Sequence, residues 1–587
     1  MLRRGYDSAD NWSQTRTWLS NRNLLATIST SDQSTTIGQF QYAYDALGRR
    51  TSKVSTGSLF SRYQAGGLAD GYTYDSKSQL TGDTTYQSTD PTITTTPVLG
   101  RTLTYAYDQI GSRTSSSVDG VQAAYTNNSL NQLVSRTEPG YDWVSGFAPT
   151  GATVSVNGTN LTSSQTQGQY WLDKVSESNS STPNWTLFMI TSSLGGSSTR
   201  GAFLAQSPEA YSYDADGNLL QDGRWHYFWD GENRLTAMET YGHQSGDSQG
   251  VWNSGVPQQR LQFQYDYLGR RIDKQVYSWS GSAFQLASET RFVYDGDNLI
   301  ADYSLSGSTL TVFHTYAWGI DISGALHQDG GVGGLLAMTT ASGDINLPVF
   351  DGNGNVMGLV DRATGALNAA YEYSPFGETI RSTGIYAQQN PFRFSTEFTD
   401  DETQLIYYER RYYNPRTGRW LSRDPKEELG GLHLYAFVHN NAVNRWDYLG
   451  MDDPNAAQVV NGLISIPDPT VDTDPNYDAY AGGSRAGNDF FDQQNAAAQS
   501  LNPAYDFFAS VAEQQLLNDI QSNLQSLESA VAASNAQANQ AAASLQQAIA
   551  QADATLAGQS LPTGTHRPHH RSSLAGPKIG HLETRPC

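Results

Sequence analysis

The chain has 587 residues, a net charge of −22 and a single cysteine, Cys587. An intrachain disulfide is therefore excluded, and the acidic balance argues against nucleic-acid or anionic-membrane binding by the chain as a whole. With 34 tyrosines, 55 glycines and only 16% charged residues, the composition favours many short strands joined by tight turns. No apolar run is long enough for a membrane helix or a signal peptide, and repeat-like sequence begins almost at once. We therefore expect upstream repeats and any export domain to be missing or encoded elsewhere.

One repeated unit dominates the chain, with the pattern aromatic–x–Tyr–Asp–x–x–Gly–x–(Arg/Leu). Because strand side chains alternate between faces, the two aromatic residues point the same way, while the Asp can cap the turn and the Gly or Asn can adopt positive φ. Each unit predicts a β-hairpin that must stack on its neighbours to bury its aromatic face. We interpret the repeated aspartates as turn caps and not as catalytic groups. They are Asp45, Asp75, Asp108, Asp214, Asp230, Asp266 and Asp295, with degenerate copies near Asp351 and Tyr373.

Shifts in composition divide the chain into seven segments. The helical segment is predicted from apolar residues that step by three and four between Leu517 and Val531, and the insert from alternating runs with Asn-Gly turns. The segments are YD repeats over 1–139 and 209–389, a small β-sandwich or hairpin insert over 140–208, a core block over 390–451, an acidic linker over 452–500, a helical or coiled-coil segment over 501–560 and a disordered basic tail over 561–587.

The tail carries four histidines, which raises the question of a zinc site or a histidine-dependent nuclease centre. Proline and glycine dominate the surrounding sequence, and the strand–helix scaffold of such a nuclease is missing, so we disfavour both. We expect no metal and no cofactor. The four residues are His566, His569, His570 and His581.

The core block over 390–451 carries the most specific sequence signal. It contains RRYYNPRTGRWLSRDP, then GGLHLYAFVHNN and finally WDYLGM. This resembles the RHS repeat-associated core, and with the YD units the resemblance covers roughly residues 1–451. The matching positions are Arg411, Tyr412, Tyr413, Asn414, Pro415, Gly418, Arg419, Trp420, Asp424, Pro425, Leu434, Tyr435 and Asn440.

The resemblance implies a fold and a role. YD-repeat proteins, including the teneurin shell and the C component of insecticidal toxin complexes, form a spiralling β-sheet that closes into a hollow cocoon. We therefore expect a mainly β chain: a YD-repeat β-shell with a small β insert, followed by a helical and disordered C-terminal segment. In bacterial members the polypeptide beyond the core block varies and is often a toxin. The implied partners are the chain's own C-terminal segment and an immunity protein, and the implied location is secreted or at the cell surface.

Several relatives of this type cleave themselves after a terminal Asp-Pro-x-Gly motif by an aspartyl-protease-like mechanism. Carried over to this sequence, the resemblance implies Arg423, Asp424 and Asp447 as catalytic residues in a single-turnover reaction, with cleavage after Met451. Paired carboxylates suit this chemistry when one is ionised and the other is protonated.

The sequence departs from the family pattern at two positions. Tyr448 and Ala442 stand where prolines are expected, which removes two rigid φ constraints beside the expected cleavage point. The alternative that Asp424 and Asp447 only cap turns therefore stays open.

Two other functions also stay open from the sequence. One is an extracellular or cell-surface structural protein that binds carbohydrate or another cell and carries no toxin. The other is a remnant of an RHS locus.

Overall fold

The computed structural model describes residues 2–5, 12–240, 256–307, 309–322 and 331–451, which belong to one compact unit, Met1–Ser465. Strands make up most of these ranges, and no α-helix occurs within them. The mainly β fold expected from the repeats is confirmed. None of the helices in these ranges has the length and apolar character needed to cross a membrane. The expected linker, helical segment and histidine-containing tail over 452–587 lie outside the described residues.

The N-terminal repeats form a twelve-stranded antiparallel sheet. Its strands follow chain order and each pairs with the next, as expected for consecutive hairpins; a twelfth strand joins after the insert. The first eleven strands are β1 (Leu2–Gly5), β2 (Trp12–Trp18), β3 (Leu25–Asp32), β4 (Thr35–Tyr44), β5 (Arg50–Thr56), β6 (Gly67–Tyr74), β7 (Leu80–Tyr86), β8 (Pro97–Tyr107), β9 (Arg113–Val118), β10 (Val121–Asn127) and β11 (Leu133–Arg136).

Two small sheets follow, with the orders β12-β16-β15 and β14-β13-β17-β18, and they share a core around Val156, Trp171 and Phe188. After them, β19 (Glu209–Ala210) pairs with β11 and completes the first large sheet. The strands of the small sheets are β12 (Tyr141–Phe147), β13 (Val154–Val156), β14 (Thr159–Asn160), β15 (Thr166–Gln167), β16 (Tyr170–Ser176), β17 (Asn184–Ser192) and β18 (Gly196–Leu204).

A second large sheet has fourteen antiparallel strands, again in chain order. They are β20 (Ser212–Tyr213), β21 (Leu219–Gln221), β22 (Trp225–Trp229), β23 (Leu235–Thr240), β24 (Gln259–Tyr265), β25 (Arg271–Trp279), β26 (Phe284–Asp295), β27 (Asn298–Ser306), β28 (Thr309–Trp318), β29 (Leu335–Thr340), β30 (Ile345–Phe350), β31 (Val356–Asp361), β32 (Leu367–Tyr373) and β33 (Thr379–Thr383). The largest hydrophobic cluster combines residues of both large sheets, such as Ile28 and Phe40 of the first with Val349 and Leu359 of the second.

The core block forms a four-stranded sheet and several short turns of 3-10 helix. Its aromatic residues pack against both large sheets: Tyr412 joins a cluster with Phe263 of β24, and Tyr413 joins one with Leu80 of β7. The strands are β34 (Phe398–Thr399), β35 (Ile406–Tyr408), β36 (Arg411–Asn414) and β37 (Arg419–Trp420).

The repeated aspartates cap turns, as interpreted from the sequence. Asp45 Oδ1 accepts the backbone N–H groups of Leu47 and Arg49, each at 2.9 Å, while Arg49 Nε donates to Oδ2 at 2.7 Å. The same pattern of N–H donors two and four residues later recurs around other YD aspartates. Among them are Asp75, Asp108, Asp230, Asp266 and Asp351.

The tyrosine of the unit links one repeat to the one before it. Tyr74 donates its hydroxyl to the Arg50 carbonyl at 2.7 Å, and Tyr107 donates to the Leu80 carbonyl at 2.9 Å. In both cases the acceptor lies five residues after the preceding repeat's aspartate. Trp229 makes the equivalent bond through its indole N–H to the Leu219 carbonyl at 2.7 Å. The Tyr-Asp pair thus closes its own turn with the carboxylate and fastens it to the previous turn with the ring.

Candidate functional site

The candidate site lies where the end of the core block folds back onto the β35–β36 hairpin. The backbone N–H of Arg410, in the turn between these strands, donates to the Leu449 carbonyl at 3.3 Å. Gly450 has a φ of 72°, and a Cβ there would lie 2.9 Å from the Tyr408 carbonyl oxygen. Glycine therefore suits this position both in its backbone conformation and in its close approach to the hairpin.

Arg411 brings the two candidate aspartates together. Its Nη2 donates to Asp424 Oδ2 at 2.9 Å and lies 3.6 Å from Asp447 Oδ2. Its Nε donates to the Gly450 carbonyl, and its guanidinium stacks 4.1 Å from the centroid of the Trp420 ring. The side chain is 2% exposed, so these contacts fix its position in a site largely screened from water.

Asp447 is the buried member of the pair. Asp447 is 3% exposed, and its Oδ1 accepts the backbone N–H groups of Gly450 at 2.8 Å and Met451 at 3.2 Å. Burial raises the pKa of Asp447 to about 6, with a further rise from the charge of Asp424 and an opposing effect of the Arg411 guanidinium. Near neutral pH this carboxyl can therefore exist in both protonation states.

Asp424 lies at the edge of an adjoining polar cleft. Its side chain is 11% exposed, and it lines a cleft of about 410 Å³ together with Arg410, Arg423 and Glu427. Its Oδ1 accepts the Lys426 backbone N–H at 2.9 Å. Asp424 thus combines a turn-capping contact with an ionic contact to Arg411, on the side of the site that water can reach.

Arg423, the arginine implied by the family resemblance, does not lie between the aspartates. Its Nε is 2.6 Å from the position that a Cβ on Gly217 would occupy, and its guanidinium interacts with the Tyr435 hydroxyl. Arg411 takes the bridging position instead. The sequence identified Arg411 only as a matching position of the core block, because its approach to Asp447 depends on how residues 36 positions apart fold together.

Two glutamates near the site carried no sequence signal. Glu397 is 2% exposed and Glu409 lies in the β35–β36 turn. Burial holds the pKa of each well above its usual range, and the negative charge of Asp447 raises both further. Protonation of these glutamates lowers the negative charge that accumulates around Asp447.

Hydrogen bonds hold the segment in which the family pattern has its prolines. Asn353 Nδ2 donates to the Ala442 carbonyl at 2.9 Å, and Asn440 Nδ2 donates to Gln79 Oε1 and the Gly111 carbonyl, at 2.9 and 2.7 Å. Contacts to both large sheets therefore restrain the backbone around Ala442. At Tyr448, the ring packs edge-on against Trp446 at 6.4 Å between centroids.

No group of three or more His, Cys, Asp or Glu side chains suited to a metal ion occurs in the part of the chain that the structure describes. The four histidines weighed in the sequence lie outside that part. The site itself offers the carboxyl groups of Asp424 and Asp447 and the guanidinium of Arg411. The backbone of Gly450 and Met451 is hydrogen-bonded to Asp447 and Arg411.

Comparison with known proteins shows similarity to YD-repeat proteins over part of the chain. The family model Teneurin YD-shell matches residues 330–443. The tRNA3(Ser)-specific nuclease WapA of Bacillus spizizenii is 30% identical over 245 residues, which cover 41% of this chain and 9% of that protein. Double-stranded DNA deaminase toxin A of Burkholderia cenocepacia is 28% identical over 255 residues, covering 41% of this chain and 17% of that protein. The chain thus matches a small part of either relative.

The solved structure of TcdB2-TccC3 is 18% identical, with a TM-score of 0.33, over 75% of this chain and 21% of that one. The family match covers the end of the second large sheet and most of the core block, including Arg411 and Asp424 but not Asp447. In this range and in its repeated YD turns, the chain is similar to YD-repeat proteins of the RHS type, with a teneurin-like YD-shell and an RHS repeat-associated core.

Proposed function

We propose that residues up to Met451 act as an RHS-type shell that carries the following segment as cargo, and that the core block releases this cargo by one self-cleavage after Met451. The observation that carries the cleavage proposal is the binding of the terminal motif to the acid pair. Asp447 holds the N–H groups of Gly450 and Met451, while Arg411 holds the Gly450 carbonyl and Asp424. Such contacts fix a peptide segment beside two carboxyls.

The two aspartates are suited to different roles. Asp424, at the edge of the polar cleft, would accept a proton from the attacking water as its oxygen bonds to the Met451 carbonyl carbon. Asp447, whose pKa is about 6, would supply a proton to the departing nitrogen of Asp452 as the C–N bond breaks. The products are a Met451 carboxylate and an Asp452 amine. Arg411 keeps the segment in place and offers positive charge beside the developing oxyanion.

The relatives support the cargo proposal through what their names state. One is called a tRNA-specific nuclease and another a double-stranded DNA deaminase toxin. In this chain, the composition changes sharply after Met451, at the point where the family pattern places its variable segment. A shell that delivers a toxic C-terminal segment accounts for both observations.

The cleavage proposal is tested by intact-mass analysis of the full chain and of Asp424→Asn, Asp447→Asn and Arg411→Gln variants. The wild type should give two fragments whose masses equal the 64.1 kDa chain plus one water, and each variant should remain whole. A suitable control is Asp108→Asn, because Asp108 also accepts two turn N–H groups but lies in the first sheet. If Asp108→Asn also stays whole, loss of turn capping and not loss of acid chemistry explains the variants.

Variants of two arginines distinguish the bridging position of Arg411 in the structure from the role that the resemblance implies for Arg423. Arg411→Gln should abolish cleavage, whereas Arg423→Gln should cleave at a rate within a few-fold of the wild type. The reverse result would restore Arg423 to the role that the sequence resemblance implies. Equal loss in both variants, with unchanged far-ultraviolet circular dichroism, would contradict the assignment of Arg411 as the bridging group.

A further inference from the structure

The segment 440–444, which leads into the terminal motif, is bound from both large sheets. Arg50, the first residue of β5 in the first sheet, donates from Nη1 to the Val443 carbonyl at 2.6 Å. Asn353, in the turn between β30 and β31 of the second sheet, donates from Nδ2 to the Ala442 carbonyl at 2.9 Å. Two consecutive carbonyls of the core block are therefore each held by a side chain from a different sheet.

The two donors also bind each other. Arg50 Nη1 donates to Asn353 Oδ1, and Arg50 Nη2 donates to the Gly352 carbonyl at 3.4 Å. The Arg50 guanidinium stacks 4.2 Å from the centroid of the Tyr42 ring, whose hydroxyl accepts the Gly352 N–H at 2.7 Å. Arg50 is 7% exposed and Asn353 is 6% exposed. One buried guanidinium thus joins a strand of the first sheet, a turn of the second sheet and the core block.

The YD turns fix the backbone on which both side chains stand. The Arg50 carbonyl accepts the Tyr74 hydroxyl at 2.7 Å, and the same hydroxyl accepts Asn444 Nδ2 at 2.9 Å. The Arg50 backbone N–H donates to Asn444 Oδ1 at 2.8 Å. The Asn353 N–H donates to Asp351 Oδ1, the cap of its own turn, at 2.9 Å. The binding of the segment therefore uses the same links that hold the repeats together.

A tight turn connects this segment to Asp447. The Asn441 carbonyl accepts the backbone N–H groups of Asn444 at 3.0 Å and Arg445 at 3.1 Å, and Asp447 follows two residues later. So short a connection leaves little chain to absorb a displacement of the segment. On its other side, the terminal motif is bound to the β35–β36 hairpin through the Leu449 carbonyl. Asp447 thus lies between two attachments, and the first of them comes from the large sheets.

We propose that Arg50 and Asn353 are positioning residues for self-cleavage, and that they make the reaction depend on contact between both large sheets and the core block. This inference rests on the cleavage proposed above. Before the two sheets come together, the carbonyls of residues 442 and 443 lack their donors, and Asp447 is not held beside Arg411. Cleavage then follows folding, so the cargo is cut free only after the repeats are in place.

The first test compares cleavage rates of full chains synthesised in a cell-free system. Arg50→Gln should slow cleavage by about 10- to 100-fold, because a shift of a reacting group by about 1 Å has an effect of this order. Arg50→Lys should be intermediate, since an ammonium group can still donate to the Val443 carbonyl but cannot bind it and Asn353 with a planar fork. Asn353→Asp should also slow cleavage, because a carboxylate accepts from Arg50 but cannot donate to the Ala442 carbonyl.

Arg101→Gln is the matched control. Arg101 is also buried in the first sheet and is joined to the second sheet, through Glu372 of β32 at 2.6 Å, but its partner is not in the core block. Its variant should cleave within a few-fold of the wild type. Cleavage of Arg50→Gln at the wild-type rate, or equal slowing in Arg101→Gln, would overturn the positioning role.

Hydrogen exchange in an Asp424→Asn background distinguishes local positioning from a general loss of structure. Adding Arg50→Gln should speed amide exchange across residues 441–451 by at least about tenfold and leave β9 and β26 unchanged. Equal acceleration in all these strands, or no change across residues 441–451, would contradict the inference. A wild-type chain that never cleaves would instead refute the proposed function, and the exchange rates would still decide whether Arg50 holds the segment.

Discussion

The proposed self-cleavage should slow about tenfold for each pH unit above 6, because the acid role proposed for Asp447 requires its protonated form and its pKa is about 6. Burial raises this pKa, so the protonated fraction is large below pH 6 and falls as pH rises through it. At pH 8 only about one Asp447 in a hundred carries the proton, and the rate should be about a hundredfold below its plateau. The structure thus predicts that the cleavage rate falls as pH rises, with a midpoint at the pKa of Asp447.

The assay is a pH jump. Chain synthesised in a cell-free system at pH 8.5, where cleavage is slow, is transferred to buffers between pH 5 and 8.5, and the intact fraction is followed on denaturing gels. Asp83→Asn provides a control, because burial also raises the pKa of Asp83, to about 8, but Asp83 lies in β7 of the first sheet. Its profile should match the wild type. A rate that stays constant or increases from pH 6.5 to 8.5 would refute the acid role of Asp447.

Three further predictions concern stability, each measured by urea unfolding followed by tryptophan fluorescence. In an uncut Asp424→Asn background, burial still raises the pKa of Asp447, so its stabilising protonation is lost as pH rises. Asp447→Asn should therefore reduce the loss of stability between pH 4.5 and 7 by at most about 2 kcal/mol, since the Asp424 charge that adds to the raised pKa is absent; no change would contradict the raised pKa. Tyr107→Phe should cost about 1 kcal/mol by removing one link between repeats, whereas Tyr267→Phe, at a ring 91% exposed, should cost nothing measurable. Asp400→Asn should cost about 3–5 kcal/mol, because it leaves Arg271 and Lys274 buried without their shared carboxylate; a cost below 1 kcal/mol would contradict this.

Local chemistry explains why so much of the fold could be predicted. The Tyr-Asp unit contains its own turn cap, as Asp45 shows, so each copy encodes a hairpin within about nine residues. The link from Tyr74 to the Arg50 carbonyl repeats along the chain, and stacking in chain order follows from it. Local periodicity therefore predicts the sheets without knowledge of distant contacts.

The candidate site could be predicted only in part, because it depends on distant contacts. The motif indicated Asp424 and Asp447, which the structure brings to one guanidinium. It indicated the neighbouring Arg423, whereas the folded hairpin presents Arg411.

The most direct test of the central claim is the N-terminal sequence of any C-terminal fragment in freshly purified wild-type chain. The account predicts a fragment that begins at Asp452, present in the wild type and absent from Asp447→Asn. A chain that remains whole at 64.1 kDa, or a fragment with the same N-terminus in both proteins, would contradict self-cleavage by the acid pair.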